Sequence, residues 1–361
     1  MIYTIVGARP NFMKAAPIHR AFERAGVAHA LVHTGQHYDE AMSKVFFGEL
    51  GMPRPAVDLG VGSGTHAQQT AAVLVGLERF FTDHRPDAVI VVGDVNSTMA
   101  ATLVTAKMGV FSAHVEAGLR SRDWDMPEEV NRVVTDALAD LLLTPSHDAD
   151  RNLLAEGCAP DTIVCVGNVM IDTLHEHLPR ARALDVPERL GVTPGGYAVL
   201  TLHRPSNVDD PVTLRHLVGA VARVAERVPV VFPVHPRTRQ RAAAAGVELA
   251  RLAGLVVTDP LGYLEFLSLT SRARLVLTDS GGLQEESTVL GIPCLTLREN
   301  TERPITIEQG TNVLVGTDPA TIVRAALEAL ERRPGAAHRV PELWDGRAAE
   351  RIVGAVLSRL S

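Results

Sequence analysis

Short apolar runs alternate with amphipathic stretches along the whole chain, the pattern of a parallel sheet wrapped by helices. In the first half, residues 1–6, 30–34, 88–92, 111–115, 141–144 and 162–166 read as strands. Each ends in polar residues: Gly7-Ala8-Arg9-Pro10-Asn11, Gly35-Gln36-His37, Gly93-Asp94-Val95-Asn96-Ser97, Glu116-Ala117-Gly118-Leu119-Arg120, Pro145-Ser146 and Gly167-Asn168. Ligands of open α/β sheets bind beyond the carboxyl ends of the strands, so these groups are expected on one rim. The second half repeats the design with runs at 197–202, 230–234, 255–258, 275–277, 294–297 and 312–315. The expected fold is α/β, with two Rossmann-like domains facing across a cleft. Their expected bounds are residues 1–170 and 171–346, joined where Pro179, Pro187, Pro194, Gly195 and Gly196 cluster. The stretch 347–361 sets Ala348, Ile352, Val353, Val356 and Leu360 at helical spacing. That stripe suits docking on the second domain as well as a return to the first, and the return is taken as the expectation.

Composition narrows the class. A chain of 361 residues with 46% hydrophobic and 21% charged residues can bury two ordinary cores. Its net charge of −7 offers no basic footprint for nucleic acid. Cys158, Cys165 and Cys294 are too scattered for a disulfide framework or a zinc site, which fits a reducing cytoplasm. The apolar start is too short for a signal peptide, and no run approaches the roughly 18 residues of a membrane span.

Candidate chemistry gathers at the strand ends. In Thr278-Asp279-Ser280-Gly281-Gly282 an apolar run gives way to a helix closed by Gly291 and Pro293. Such a turn presents bare N–H groups and the positive helix end to a phosphate, although glycine serves equally where a turn only needs room. Glu286, one turn on, can reach back towards the hydroxyls of a ribose. Gly7-Ala8-Arg9-Pro10 falls short of the dinucleotide fingerprint, which argues against a nicotinamide cofactor; Arg9 and Lys14 suit a diphosphate. Asp94 follows a buried strand, as either a loop-ordering or a reacting carboxylate. Glu116 lies at the edge of another, with Arg120 and Arg122 near in sequence, the opposed environment in which acids and bases are tuned. Met126-Pro127-Glu128-Glu129-Val130-Asn131-Arg132 opens a helix with an expected inward stripe of Val130, Val133, Val134 and Ala137. Glu128 and Arg132 then form an i,i+4 pair, read as a surface salt bridge or as part of a site. His203-Arg204 and His235-Pro236-Arg237 follow strands of the second half without metal-ligand spacing, so no catalytic metal is expected. Tyr263 and Phe266 offer either core packing or an aromatic face for a nucleobase. Thr301-Glu302-Arg303-Pro304 continues the rim.

Taken in order, GARPNFMKAAP, TGQHYDEAMS, VVGDVNSTMAA, HVEAGLRS, MPEEVNR, LTLHRPSN, PVHPRTR, LTDSGGLQEES and TERPIT resemble the non-hydrolysing UDP-N-acetylglucosamine 2-epimerases, from Gly7 to the final helix. The resemblance implies a glycosyltransferase-B-like pair of domains, a homodimer, and a UDP-N-acetylhexosamine substrate needing neither metal nor nicotinamide. It implies Asp94, Glu116, Glu128 and His203 around the sugar, and Arg9 and Lys14 on the nucleotide. Ser280, Gly281 and Gly282 would hold the diphosphate, Glu286 the ribose and Phe266 the uracil, with Arg132, His235 and Arg303 as further substrate contacts. The implied reaction eliminates UDP to an enzyme-bound 2-acetamidoglucal and adds it back with a proton on the opposite face, supplying ManNAc-type precursors for surface polysaccharide. Two departures stand out. Residues 36–43 read QHYDEAMS where some members carry the glutamines of an allosteric site, and Pro205-Ser206-Asn207 follows His203-Arg204 where many carry a Glu. Competing readings are an epimerase of a UDP-diacetamido-uronate, a hydrolysing epimerase, a UDP-sugar glycosyltransferase, and a nucleotide-sugar sensor without turnover.

Overall fold

The computed structural model describes residues 1–35, 51–332 and 338–361, with Arg9 and Pro10 described as backbone alone. Residues 36–43, noted above as a departure, therefore lie outside the described residues. The chain divides into two compact units, Met1–Thr173 with Glu342–Ser361, and Leu174–Pro341.

The first unit is built on a seven-stranded sheet in the order β3-β2-β1-β4-β5-β6-β7. Its strands are β1 (Ile2–Val6), β2 (His29–His33), β3 (Val57–Asp58), β4 (Ala88–Val92), β5 (Phe111–Val115), β6 (Leu141–Thr144) and β7 (Ile163–Cys165). All pairings are parallel, and Ile2 stands opposite both His29 and Ala88. Strands covered on both faces read as unbroken apolar runs, as β4 does. Its side chains alternate between two cores. Val89 and Val91 join Tyr3, Val73, Leu77 and Phe81, while Ile90 and Val92 join Ile18, Phe22, Leu141 and Leu143. The chain order reverses between β1 and β4, the position at which open sheets leave a crevice for ligands.

The helix Ala348–Leu360 completes that second core. It buries Ala348, Ala349, Ile352, Val353 and Val356 against the helix Arg9–Arg24, so the C-terminal helix packs in the first unit. The Asp172 carboxylate caps it, accepting hydrogen bonds from Ala348 (3.0 Å) and Ala349 (2.7 Å). Burial raises that carboxyl to about 6 against the pull of both N–H groups. The returning chain passes so close to Gly167 that a Cβ there would lie 2.2 Å from the Leu343 carbonyl oxygen.

The second unit has a six-stranded parallel sheet, order β10-β9-β8-β11-β12-β13. The strands are β8 (Ala198–Thr201), β9 (Val230–Pro233), β10 (Leu255–Thr258), β11 (Leu275–Thr278), β12 (Cys294–Thr296) and β13 (Asn312–Leu314). Its switch point falls between β8 and β11.

The helix Pro127–Leu138 departs from the expected packing. Its buried side chains are Glu129, Asn131, Arg132, Thr135 and Asp136, whereas Val130 is 39% exposed and Val133 and Val134 only half-buried. The polar face turns inward because it hydrogen-bonds the loops that follow β4 and β5. Among the described residues no helix is long and apolar enough to cross a membrane.

Candidate active site

At the first switch point, β1 runs into Gly7 and Ala8, whose N–H groups donate to Asn11 Oδ1 at 3.1 and 3.0 Å. Asn11 Nδ2 donates in turn to the Val92 carbonyl at 2.8 Å, tying this turn to the end of β4. Lys14, one turn into the helix Arg9–Arg24, is buried, and its Nζ meets Glu116 Oε2 at 2.5 Å. The ammonium crosses over Gly93, where a Cβ would stand 2.9 Å from Nζ. The structure thus brings Lys14 to a carboxylate, whereas the sequence suggested a diphosphate contact. The side chain of Arg9 lies outside the described residues.

Glu116 has φ +71°, a left-handed conformation that costs a non-glycine residue roughly 1–2 kcal/mol. Its N–H and that of Ala117 both point at the Leu143 carbonyl, which ends regular pairing and turns the side chain towards Lys14. Backbone held in this way is typical of functional sites.

Asp94, at the end of the neighbouring strand, pairs through Oδ2 with Arg132 Nη1 at 2.5 Å. Arg132 also meets Glu129 Oε2, at 2.8 Å from Nη2 and 3.0 Å from Nε. The i,i+4 pair expected between Glu128 and Arg132 is therefore replaced by an i,i+3 pair with Glu129, and Glu128 stands exposed at the helix start. Glu129 accepts from the N–H groups of Ser121 and Arg122 as well. Burial pushes the Glu129 carboxyl up, but these N–H groups and the guanidinium outweigh it and hold it below the ordinary range.

At the second switch point, His203 and Asp279 end β8 and β11. His203 Nδ1 lies 2.9 Å from Asp279 Oδ1, and Asp279 Oδ2 accepts from the His203 and Arg204 N–H groups and from Asn207 Nδ2. Burial alone would raise Asp279; the His203 ring and these N–H groups lower it. Asp279 is fully buried and orients a half-exposed imidazole, a role missed in the sequence because its partners are more than 70 residues away.

The helix Gly281–Leu290 follows with Ser280 as an extended N-cap and no side chain capping its N–H groups. A Cβ on Gly281 would lie 2.6 Å from Glu302 Oε1, while Gly282 is open. Arg204, Arg298 and Arg303 surround Glu302, at 3.3, 2.9 and 3.3 Å. Their charge overcomes the upward pressure of burial and holds Glu302 well below the carboxylate range. Arg303 also donates to Glu285 at 2.7 Å. Bare N–H groups beside buried guanidinium groups form a ready anion site. Glu286 is buried beside the Tyr263 hydroxyl, and burial with the Glu285 charge raises it to about 7. Tyr263 packs edge-on against His177, and Phe266 is half-buried beside Leu269, Val276 and Leu283. His235 stands exposed as the N-cap of the helix Pro236–Ala244.

The first unit thus sets carboxylates against buried cations at its switch point, and the second sets a helix N-terminus near guanidinium groups and a carboxylate-held imidazole. Among the described residues, His147, Asp150 and Cys165 are the group whose ligand atoms come within 4.8 Å of one another, and they involve neither switch point.

A family profile for UDP-N-acetylglucosamine 2-epimerase matches residues 20–357. The UDP-N-acetylglucosamine 2-epimerase of Methanocaldococcus jannaschii is 40% identical over 97% of this chain and 96% of its own. The UDP-2,3-diacetamido-2,3-dideoxy-D-glucuronate 2-epimerase of Pseudomonas aeruginosa is 43% identical over 91% of this chain and 92% of its own. The crystal structure of the M. jannaschii enzyme in complex with UDP-GlcNAc and UDP superposes with a TM-score of 0.91 over 99% of both chains.

Proposed function

This chain belongs to the UDP-N-acetylglucosamine 2-epimerase family, and from that premise we propose that it inverts C2 of UDP-N-acetylglucosamine to give UDP-N-acetylmannosamine, reversibly. The observation that carries the reading is the placement of Asp94 and Glu116 at the ends of adjacent strands, each against a buried cation. The hydrogen on C2 is weakly acidic. One carboxylate removes it as the C1–O bond breaks, UDP leaves with that electron pair, and a 2-acetamidoglucal stays bound. UDP then adds back to C1 while a proton reaches C2 from the other face. Removal and delivery need separate groups, drawn from Asp94, Glu116 and Glu128.

When Glu116 takes a proton, the charge of Lys14 is no longer neutralised and can act on the departing diphosphate. The Ser280 hydroxyl and the N–H groups of Gly281 and Gly282, with Arg303 and Arg9, stabilise that leaving group. Glu286 accepts the ribose hydroxyls, Phe266 lies along the uracil, and Arg132 and His235 hold the remainder of the substrate. His203, oriented by Asp279, exchanges a proton through Nε2. Exposed Val75, Val130 and Leu138, on helices joined into one layer through Asn96–Met108, support a homodimer. The free cysteines support a cytoplasmic location.

The relative from P. aeruginosa favours a second reading, a UDP-diacetamido-uronate as substrate. NMR in heavy water separates the possibilities. We expect solvent deuterium at C2 of recovered UDP-N-acetylglucosamine, and product that retains its original C2 hydrogen would overturn the mechanism. Exchange confined to the uronate would favour the second reading. Glu116→Gln should abolish exchange without weakening UDP binding, since the helix N-terminus at Gly281 is untouched and Lys14 only loses its counter-charge.

A further inference from the structure

Behind the two carboxylates lies a fully buried polar pair that the reaction does not touch. His114, in the middle of β5, turns Nδ1 to Asp136 Oδ1 at 2.6 Å and Nε2 to the Gly93 carbonyl at 2.9 Å. A carbonyl only accepts, so Nε2 must donate. The Asp136 carboxyl is held below its ordinary range, although burial alone would raise it, by the His114 and Arg120 charges and the Gly118 N–H. The Nδ1–Oδ1 contact and the Nε2 donation together fix the ring between Asp136 and the Gly93 carbonyl. Asp136 Oδ2 meanwhile accepts from Gly118 N–H at 3.0 Å and from Arg120 Nη1 at 2.7 Å.

These bonds link three segments. Asp136 belongs to the helix Pro127–Leu138 that carries Glu128 and Arg132. Gly118 and Arg120 close the left-handed turn that begins at Glu116. Gly93 immediately precedes Asp94 and is the surface over which Lys14 reaches Glu116. We propose that the Asp136–His114 pair is the positioning device of the active site, holding the Asp94 and Glu116 turns at one separation through the His114 ring. This rests on the roles given to Asp94 and Glu116 above.

Asp136→Asn is expected to lower kcat for C2 exchange by about 10²-fold, the cost of a misplacement near 1 Å, with UDP affinity within about twofold. His114→Ala should behave alike, and His114→Gln, whose amide can still donate to Gly93, should recover part of the loss. The double variant should be no slower than the worse single one, because the pair acts as a unit. If Asp136→Asn does not fold, nitrogen-15 NMR of labelled wild-type protein decides: His114 Nε2 must carry a proton, as donation to the Gly93 carbonyl requires. A ring protonated on Nδ1 alone, or variants with wild-type kcat per folded molecule and only a lower Tm, overturns the proposal. Normal exchange in Glu116→Gln would instead overturn the functional reading and leave the geometry of the pair untouched.

Discussion

Burial and the Glu285 charge disfavour the ionised form of Glu286. Its folded value of about 7, against an ordinary 4.5, means the fold favours the neutral acid. Below pH 4.5 both folded and unfolded chains are protonated, so the group is neutral to stability. Between that point and about 7 the unfolded chain ionises first, so stability falls as pH rises, then levels off. At about 1.4 kcal/mol per pH unit the penalty is on the order of 3 kcal/mol. Glu286→Gln should therefore resist urea better than the wild type near pH 8 by about that amount, and match it near pH 4. Parallel stability curves for the two proteins would sink this account. Residues of this kind were legible only in part. Glu116 and Asp94 stand out because a charge ends an apolar run, and Glu286 because it lies one turn beyond a glycine pair. Asp279 also ends an apolar run, but its role and that of Asp136 are hidden, because each depends on a partner ring brought from a distant strand.

The helix Pro127–Leu138 illustrates what periodicity can and cannot find. An apolar stripe identifies a helix and its greasy side; here that side includes exposed Val130 and Leu138, while the buried side bonds loop N–H groups and carboxylates. A pattern rule assigns the stripe to the core and so reverses the helix. Glu129 was passed over for Glu128 for the same reason. Strands were easier, since burial on both faces leaves continuous apolar runs; only the two-residue β3 (Val57–Asp58) had no signal to offer. The inverted helix makes Arg132 its anchor. Arg132→Met leaves Glu129 buried without its cation and Asp94 without its partner, so unfolding should become easier by about 3–5 kcal/mol. A loss below about 1 kcal/mol in urea titration would mean that the N–H groups of Ser121 and Arg122 hold Glu129 unaided.

At the scale of the chain, the α/β class followed from alternation alone, because two sets of strand ends carry two sets of polar residues. The return of the last helix was legible only as a stripe with two equally suitable docks. Side-chain identity decides between them in the folded protein, where Asp172 meets the bare N–H groups of Ala348 and Ala349 and Ile352 packs with Phe22. Ile352→Ala should destabilise the first unit by about 2–5 kcal/mol. Hydrogen exchange gives the readout: amides of β1 and β4 should lose protection while those of β8 and β11 keep theirs. Equal losses in both sheets would show that the two units open together.

A unit assembled from Met1–Thr173 and Glu342–Ser361 has a further consequence during synthesis. The ribosome delivers the early strands long before the segment that seals them, so a nascent chain leaves Ile18 and Phe22 uncovered while the whole of Leu174–Pro341 is translated. The second unit, continuous in sequence, is able to mature first, although its codons come later.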